Sequence, residues 1–164
     1  MQQQSRVQML QEMPIFGGVM ASTLEALLAG AEVVEVDSGG TLFKEGDLDN
    51  SVYVLEKGRV GIYRVWQGHE YKLRELGAGD CLGEMALIDC KPRSATVRAL
   101  EPCTAIRISV AQMGQLYASN PEYHALIYMN LAREVCRRLR VADHRLFVSE
   151  VEGGEGASGM TGHE

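Results

Sequence analysis

Apolar and polar residues alternate with a period of two between residues 31 and 108, in short runs rich in β-branched side chains. Such alternation predicts strands with one buried face, because successive side chains of a strand point to opposite sides of the sheet. Glycine-containing turns separate the runs, and short strands at this spacing are typical of a sandwich or roll. The predicted strands span residues 33–36, 41–43, 51–56, 60–66, 71–76, 81–82, 94–99 and 104–108.

Helical patterns lie on both sides of these strands. Apolar side chains three positions apart predict a short amphipathic helix over residues 1–13. A second helix is predicted over residues 23–30, with Ser22 as its N-cap residue and Glu25 completing a capping box. A third is predicted over residues 110–118.

The last helix is unusually long. Asn120 is a good N-cap residue and Pro121 a good first helical residue, and the helix is predicted to run to about Ser149, against an average of about 11–12 residues. One apolar stripe follows it: Leu131, Val135, Leu139, Ala142 and Leu146. The far end of this stripe would be exposed in a monomer, so it predicts a two-fold homodimer.

Composition bounds the class of protein. With 164 residues, 46% hydrophobic and 23% charged, the chain is predicted to be one globular domain. It has no apolar run of membrane-spanning length and no signal-peptide pattern, which predicts a cytoplasmic protein without membrane contacts. The four cysteines lack the spacing of a metal site and are predicted to be reduced. The predicted parts are a helical lead-in (1–30), a roll (31–109), C-terminal helices (110–149) and a disordered, glycine-rich tail (150–164).

The candidate chemistry lies in residues 82–96, which read LGEMALIDCKPRSAT. The pattern predicts a short helix that begins at Gly83, a proline turn and a strand. Backbone N–H groups at a helix N-terminus attract anions, and a glycine allows close approach to the backbone. Arg93 presents a planar set of donors that suits a phosphate. Glu84 has the same sign of charge as a phosphate, so it is expected to accept a hydrogen bond from a sugar hydroxyl instead.

This stretch resembles the phosphate-binding cassette of cyclic-nucleotide-binding domains. The family pattern is Phe-Gly-Glu-hydrophobic-Ala-Leu followed, after a gap, by Arg-small-Ala-Thr/Ser; Leu82 replaces the usual phenylalanine. The family includes sensor domains of catabolite-activator-type regulators, regulatory subunits of cAMP-dependent kinase and gating domains of channels. The resemblance covers the chain from Met13 to about Ser149. It implies an α+β fold, an eight-stranded antiparallel β-roll (jelly roll, or double-stranded β-helix) with N-terminal helices and a long C-terminal helix.

The resemblance also implies a ligand and its contacts. The ligand is a cyclic nucleotide, cAMP or cGMP, with no cofactor and no metal. Arg93 is expected to pair with the cyclic phosphate, and Glu84 to accept a hydrogen bond from the ribose 2′-hydroxyl group. The other expected contacts are the backbone at Gly83, the phosphate-binding amides of Met85, Ala86 and Ser94, and an apolar wall formed by Ile62 and Leu73.

The choice between cAMP and cGMP stays open. Ser94 follows the arginine, as in cGMP-preferring kinase-type domains but also in cAMP-binding bacterial activators. In those activators a Thr-Ser pair on the long helix contacts adenine. The matching positions are Ala142 and Asp143, a departure that predicts altered base selectivity or affinity.

The favoured function is a sensor module that relays ligand occupancy through the C-terminal helix, within a dimer or to an unknown effector protein. The net charge of −6 and the short tail predict no direct DNA binding, since such binding depends on basic surface. Catalysis of the cupin type is not expected, because the four histidines include no His-x-His pair. The alternative is a module of the same fold that has lost its ligand. It is disfavoured because Arg93 and Glu84 are both present.

Overall fold

The computed structural model describes residues 2–158, with side chains from residue 4 to residue 154. Contacts divide the chain into two compact units, Met1–Leu131 and Ala132–Glu164, and all strands belong to the first. The four-part division of a single domain stays a prediction. The helical elements are α1 (Gln2–Gln11), a 3-10 turn (Pro14–Phe16), α2 (Ala21–Ala29), α3 (Glu84–Asp89), α4 (Val110–Ser119) and α5 (Pro121–Ser158).

Eight strands form two four-stranded antiparallel sheets, with strand orders β1-β8-β3-β6 and β2-β7-β4-β5. This architecture, flanked by helices, confirms the predicted α+β roll. Every predicted strand end lies within two residues of the observed end. The strands are β1 (Glu32–Val36), β2 (Thr41–Phe43), β3 (Val52–Lys57), β4 (Arg59–Trp66), β5 (His69–Gly77), β6 (Cys81–Leu82), β7 (Thr96–Ala99) and β8 (Cys103–Ile108).

Strand β3 separates two hydrophobic clusters. Val52 and Val54 face the first cluster, where helices pack on one sheet. Tyr53 and Leu55 face the second, which lies inside the roll. Because alternate side chains of this strand serve opposite cores, its first four residues are all buried. The inner cluster also contains residues of the cassette region and the neighbouring strands, among them Phe43, Ile62, Leu82 and Ala95.

The predicted capping box at the start of α2 is wrong. The N-cap residue is Met20, and no side chain caps the helix. The amides of Thr23 and Leu24 both donate to the carbonyl of Met20, so Ser22 already lies within the first turn. A capping box occurs instead at α4, where the Ser109 hydroxyl accepts from the Gln112 amide and the Gln112 side chain accepts from the Ser109 amide.

Helix α5 begins where the sequence predicts. The side chain of Asn120 accepts a hydrogen bond from the amide of Tyr123 at 3.2 Å, which confirms it as the N-cap residue. The helix continues to Ser158, beyond the predicted end near Ser149. Adding residues to an existing helix forms one hydrogen bond for each residue fixed, so glycines weaken the extension without forbidding it. The rest of the predicted tail, residues 159–164, lies outside the described residues. None of the helices within residues 2–158 is long and apolar enough to cross a membrane.

Candidate functional site

A single glycine connects β6 to α3. Gly83 has a left-handed backbone conformation, with φ of 78°, which a side chain would strain. A Cβ atom built at this position would also collide with Nη1 of Arg93 and lie 3.0 Å from the carbonyl oxygen of Ser51. The close approach that the sequence predicts at Gly83 is therefore made by the guanidinium of Arg93.

Arg93 points into the protein. Its side chain is only 1% exposed. Nη1 donates to the carbonyl of Gly83 at 3.1 Å, and Nη2 donates to the carbonyl of Ser51 at 2.7 Å and to Oδ2 of Asp49 at 3.0 Å. Nε is buried and has no hydrogen-bond partner among the described residues. Buried polar groups in proteins are nearly always paired, so this donor is an exception among the contacts of Arg93.

Two aromatic rings lie under the guanidinium. The Cζ atom of Arg93 is 4.1 Å from the centre of the Phe43 ring and 5.8 Å from that of Tyr53. The two rings are themselves 5.6 Å apart. A guanidinium held against an aromatic face gains cation–π attraction, which grows when water is excluded. Arg93 is thus held by three carbonyl or carboxylate acceptors and two rings.

Asp49 connects Arg93 to a second arginine. Its Oδ1 atom accepts from Arg107 at 3.3 Å and from the Ser51 hydroxyl at 2.8 Å. Burial raises the pKa of Asp49, but hydrogen bonds from the Ser51 hydroxyl and amide, together with Arg93, outweigh burial and hold this pKa well below its ordinary value. Burial, and then the charge of Asp49, raise the pKa of Tyr53. Asp49 is therefore an anion that neutralises Arg93 inside the fold.

Backbone hydrogen bonds hold the β2–β3 loop against the end of the cassette. The amide of Arg93 donates to the carbonyl of Asp47, and the amide of Gly46 donates to the carbonyl of Arg93, each at 2.8 Å. The amide of Glu45 donates to the Thr96 hydroxyl at 3.0 Å. Because this loop also carries Asp49, the clamp places the carboxylate next to the guanidinium that it neutralises.

The remaining predicted contacts fall into a buried and an exposed group. Glu84 and Ala86 are buried, whereas Met85 is half-exposed and Ser94 is exposed. The Ser94 hydroxyl lies 3.8 Å from the Met85 sulfur. The structure therefore brings Gly83 and Arg93 into direct contact and places the other cassette residues beside them along the chain.

The two predicted wall residues differ in burial. Ile62 belongs to the inner core, and Leu73 is half-exposed. Ile62 pairs with Arg74 and Tyr63 pairs with Lys72, so Leu73 is the extra residue of a β-bulge between β4 and β5. The structure therefore places one predicted wall residue in the inner core and the other on the exposed strand β5.

Sequence reasoning missed Phe43 and Asp49. Neither residue belongs to the cassette motif, and an acid in a turn before a strand is too common to single out. The resemblance offered one signal. It places Arg93 in a binding site, and a buried arginine needs an anionic partner from elsewhere in the fold. On α5, Ala142 and Asp143, which stand where the activators have the base-contacting Thr-Ser pair, are exposed. So are Leu139 and several neighbouring large apolar residues, Val141, Leu146, Phe147, Val148 and Val151.

Comparison with known proteins gives consistent matches. A family model described as "Cyclic nucleotide-binding domain" matches residues 33–120. The cAMP-activated global transcriptional regulator CRP of Salmonella typhimurium is 32% identical over 126 residues, which cover 76% of this chain and 58% of that protein. This chain thus spans 58% of the length of that curated relative.

Solved structures are similar over most of the chain. The crystal structure of the Thermus thermophilus catabolite activator protein matches with a TM-score of 0.72 and 30% identity, over 84% of this chain and 63% of that one. A cyclic nucleotide-binding domain from Methylobacillus flagellatus matches with a TM-score of 0.79 over 90% of this chain and 84% of that one. Its identity is 21%, so this second likeness concerns the fold alone.

Proposed function

Because the chain belongs to the cyclic nucleotide-binding domain family, we propose that it is a regulatory module that binds a cyclic nucleotide, with cAMP as the first ligand to test. The observation that carries the proposal is the environment of Arg93. Its guanidinium is buried, and its Nε–H group has no hydrogen-bond partner among residues 4–154. A phosphodiester supplies the acceptor and the charge that suit this donor.

In this proposal each predicted residue contacts a different part of the ligand. Arg93 pairs with the cyclic phosphate, and the amides of Met85, Ala86 and Ser94 share its oxygens. Glu84, which is buried at the start of α3, accepts from the ribose 2′-hydroxyl group. The apolar side chains of Ile62 and Leu73 contact the nucleoside. The relative from Salmonella typhimurium is cAMP-activated by name, which favours cAMP over cGMP as the ligand.

The output is assigned to α5. The exposed members of the apolar stripe, Leu139, Ala142 and Leu146, provide a surface for a second copy of the chain, and ligand occupancy is relayed through this helix within the dimer or to an effector protein. A ligand shifts such an equilibrium only by its difference in affinity for the two states. The relay therefore predicts that dimerisation or effector binding and cAMP binding are thermodynamically coupled.

A second candidate is an interaction module that no longer binds a ligand. Asp49 favours it, because this carboxylate already neutralises Arg93 through a 3.0 Å ion pair. A thermal unfolding series with cAMP, cGMP and 5′-AMP separates the two. A ligand at 100 times its dissociation constant adds about 2.7 kcal/mol to the free energy of unfolding. The sensor predicts stabilisation by a cyclic nucleotide and none by 5′-AMP; the ligand-free module predicts no effect of any of the three.

A further inference from the structure

The guanidinium of Arg93 lies against an aromatic ring and a glycine. The Phe43 ring centre is 4.1 Å from Cζ. A side-chain carbon at Gly83, whose carbonyl accepts from Nη1, would collide with that nitrogen. Phe43 is itself buried in the inner core, where it contacts the Tyr53 ring. The guanidinium is therefore packed closely against both Phe43 and Gly83.

The hydrogen bonds of the guanidinium decide which of its donors remains for an anion. Nη1 is engaged by Gly83, and Nη2 by Asp49 and Ser51. Within the described part of the chain, Nε is the guanidinium nitrogen that is left without a hydrogen-bond partner. Rotation of the guanidinium out of its plane would break the contacts of both terminal nitrogens and would turn Nε. An aliphatic residue at position 43 would fill the same space but would offer no π face to a desolvated cation.

We propose that Phe43 is a positioning residue: its ring holds the Arg93 guanidinium in the orientation that leaves Nε–H as the donor for the phosphate of the ligand. This inference rests on the proposed function and adds a residue outside the cassette motif. Phe43 does not contact the ligand in this scheme. It acts through Arg93, by limiting the orientations that the guanidinium samples before the ligand arrives.

The test is a double-mutant cycle on cAMP affinity. Phe43→Leu is expected to weaken cAMP binding by about tenfold, the order of a cation–π contact away from water. In an Arg93→Gln background the same Phe43→Leu change is expected to alter the affinity by less than about twofold. Titrations followed by NMR reach the millimolar dissociation constants of the weaker variants. Phe43→Tyr, which keeps the ring, is expected to bind within about threefold of wild type.

A control variant and an NMR measurement separate positioning of Arg93 from damage to the core. Leu55→Val removes volume from the same inner cluster without removing the ring, and it is expected to lower the melting temperature while keeping cAMP affinity. The Nε–H resonance of Arg93, assigned by its loss in Arg93→Gln, is expected to shift at saturating cAMP in the wild-type chain.

Three results would overturn the inference while leaving the proposed function intact: wild-type affinity in Phe43→Leu, an equal loss in both arginine backgrounds, or an unmoved Nε–H resonance in a chain that binds cAMP. If the wild-type chain binds no cyclic nucleotide, the proposed function itself fails and the inference fails with it.

Discussion

Asp49 and Arg93, 44 positions apart in the chain, form an ion pair in which Nη2 and Oδ2 are 3.0 Å apart. The arginine side chain is 1% exposed and the aspartate side chain 31% exposed. The β2–β3 loop is thereby connected to the end of the cassette by a charge pair as well as by backbone hydrogen bonds. Any ligand anion that approaches Arg93 meets a cation that is already partly neutralised.

Asp49→Asn should destabilise the fold. Removing one partner of a fully buried pair costs about 3–5 kcal/mol, and partial exposure of the carboxylate reduces this, so a loss of roughly 2 kcal/mol in the free energy of unfolding is expected. Urea denaturation measures the loss. Glu75→Gln, which removes an exposed partner of Arg59 and Lys72, is the control and should have a smaller effect. Equal stability of Asp49→Asn and wild type would contradict the ion-pair account.

The same carboxylate should make stability depend on acid. Its pKa is lower in the folded chain than in the unfolded chain, where it is about 3.9. Stability from this group is therefore fully present above the unfolded pKa and is lost as the pH falls through the folded one. Between pH 5 and pH 3 the free energy of unfolding should fall more steeply in wild type than in Asp49→Asn. Parallel curves for the two proteins would rule out this linkage.

Gly83→Ala should disturb the site beyond its backbone strain. Gly83 and Gly79 both have positive φ angles, 78° and 89°, so either alanine costs about 1–2 kcal/mol of stability. Only at Gly83 would the added carbon meet Arg93; at Gly79 there is nothing within 4 Å. Displacement of Arg93 should weaken cAMP binding by about tenfold or more, whereas Gly79→Ala should keep wild-type affinity. Calorimetric titration of both variants checks this, and equal affinities would show that the collision is relieved without moving Arg93.

The apolar stripe of α5 should determine the oligomeric state. Leu146 and Val148 are 62% and 36% exposed and, two positions apart on a helix, they lie on nearly opposite sides. Leu146→Glu should give a monomer, because it places a charge in the proposed dimer contact, and Val148→Glu should leave the dimer intact. Light scattering at high micromolar concentration distinguishes these. A monomeric wild-type chain, with and without cAMP, would contradict the dimer.

The strands of this fold could be predicted closely because their signal is local. Alternation within β4, which lies between Gly58 and Gly68, identifies a strand without reference to the rest of the chain. The predicted capping box at Ser22 is wrong because the start of α2 is not decided by the local motif alone. The local motif fits, but the hydrogen bonds of α2 begin at Met20, beside the buried residue Val19.

The candidate site also combines residues that a local motif predicts with residues that it does not predict. Gly83, Glu84 and Arg93 are found from the cassette motif, since its spacing is visible in one stretch of sequence. Phe43 and Asp49 contact Arg93 from distant positions in the sequence. No sequence pattern predicts that this ring or this carboxylate lies beside the guanidinium. The motif predicts that Arg93 offers its donors to a phosphate, but it does not predict that both terminal nitrogens are engaged by protein acceptors, which depends on the position of the β2–β3 loop.

Calorimetric titration of cAMP into wild type, Arg93→Ala and Arg98→Ala tests the central claim most directly. Arg98 is a matched control, because it also pairs with a carboxylate, Glu70, and lies 4.8 Å from an aromatic ring, that of Tyr63. We expect saturable binding to wild type and to Arg98→Ala, and affinity weaker by about 10²–10³-fold in Arg93→Ala. Equal affinity of Arg93→Ala and wild type for cAMP would contradict the account.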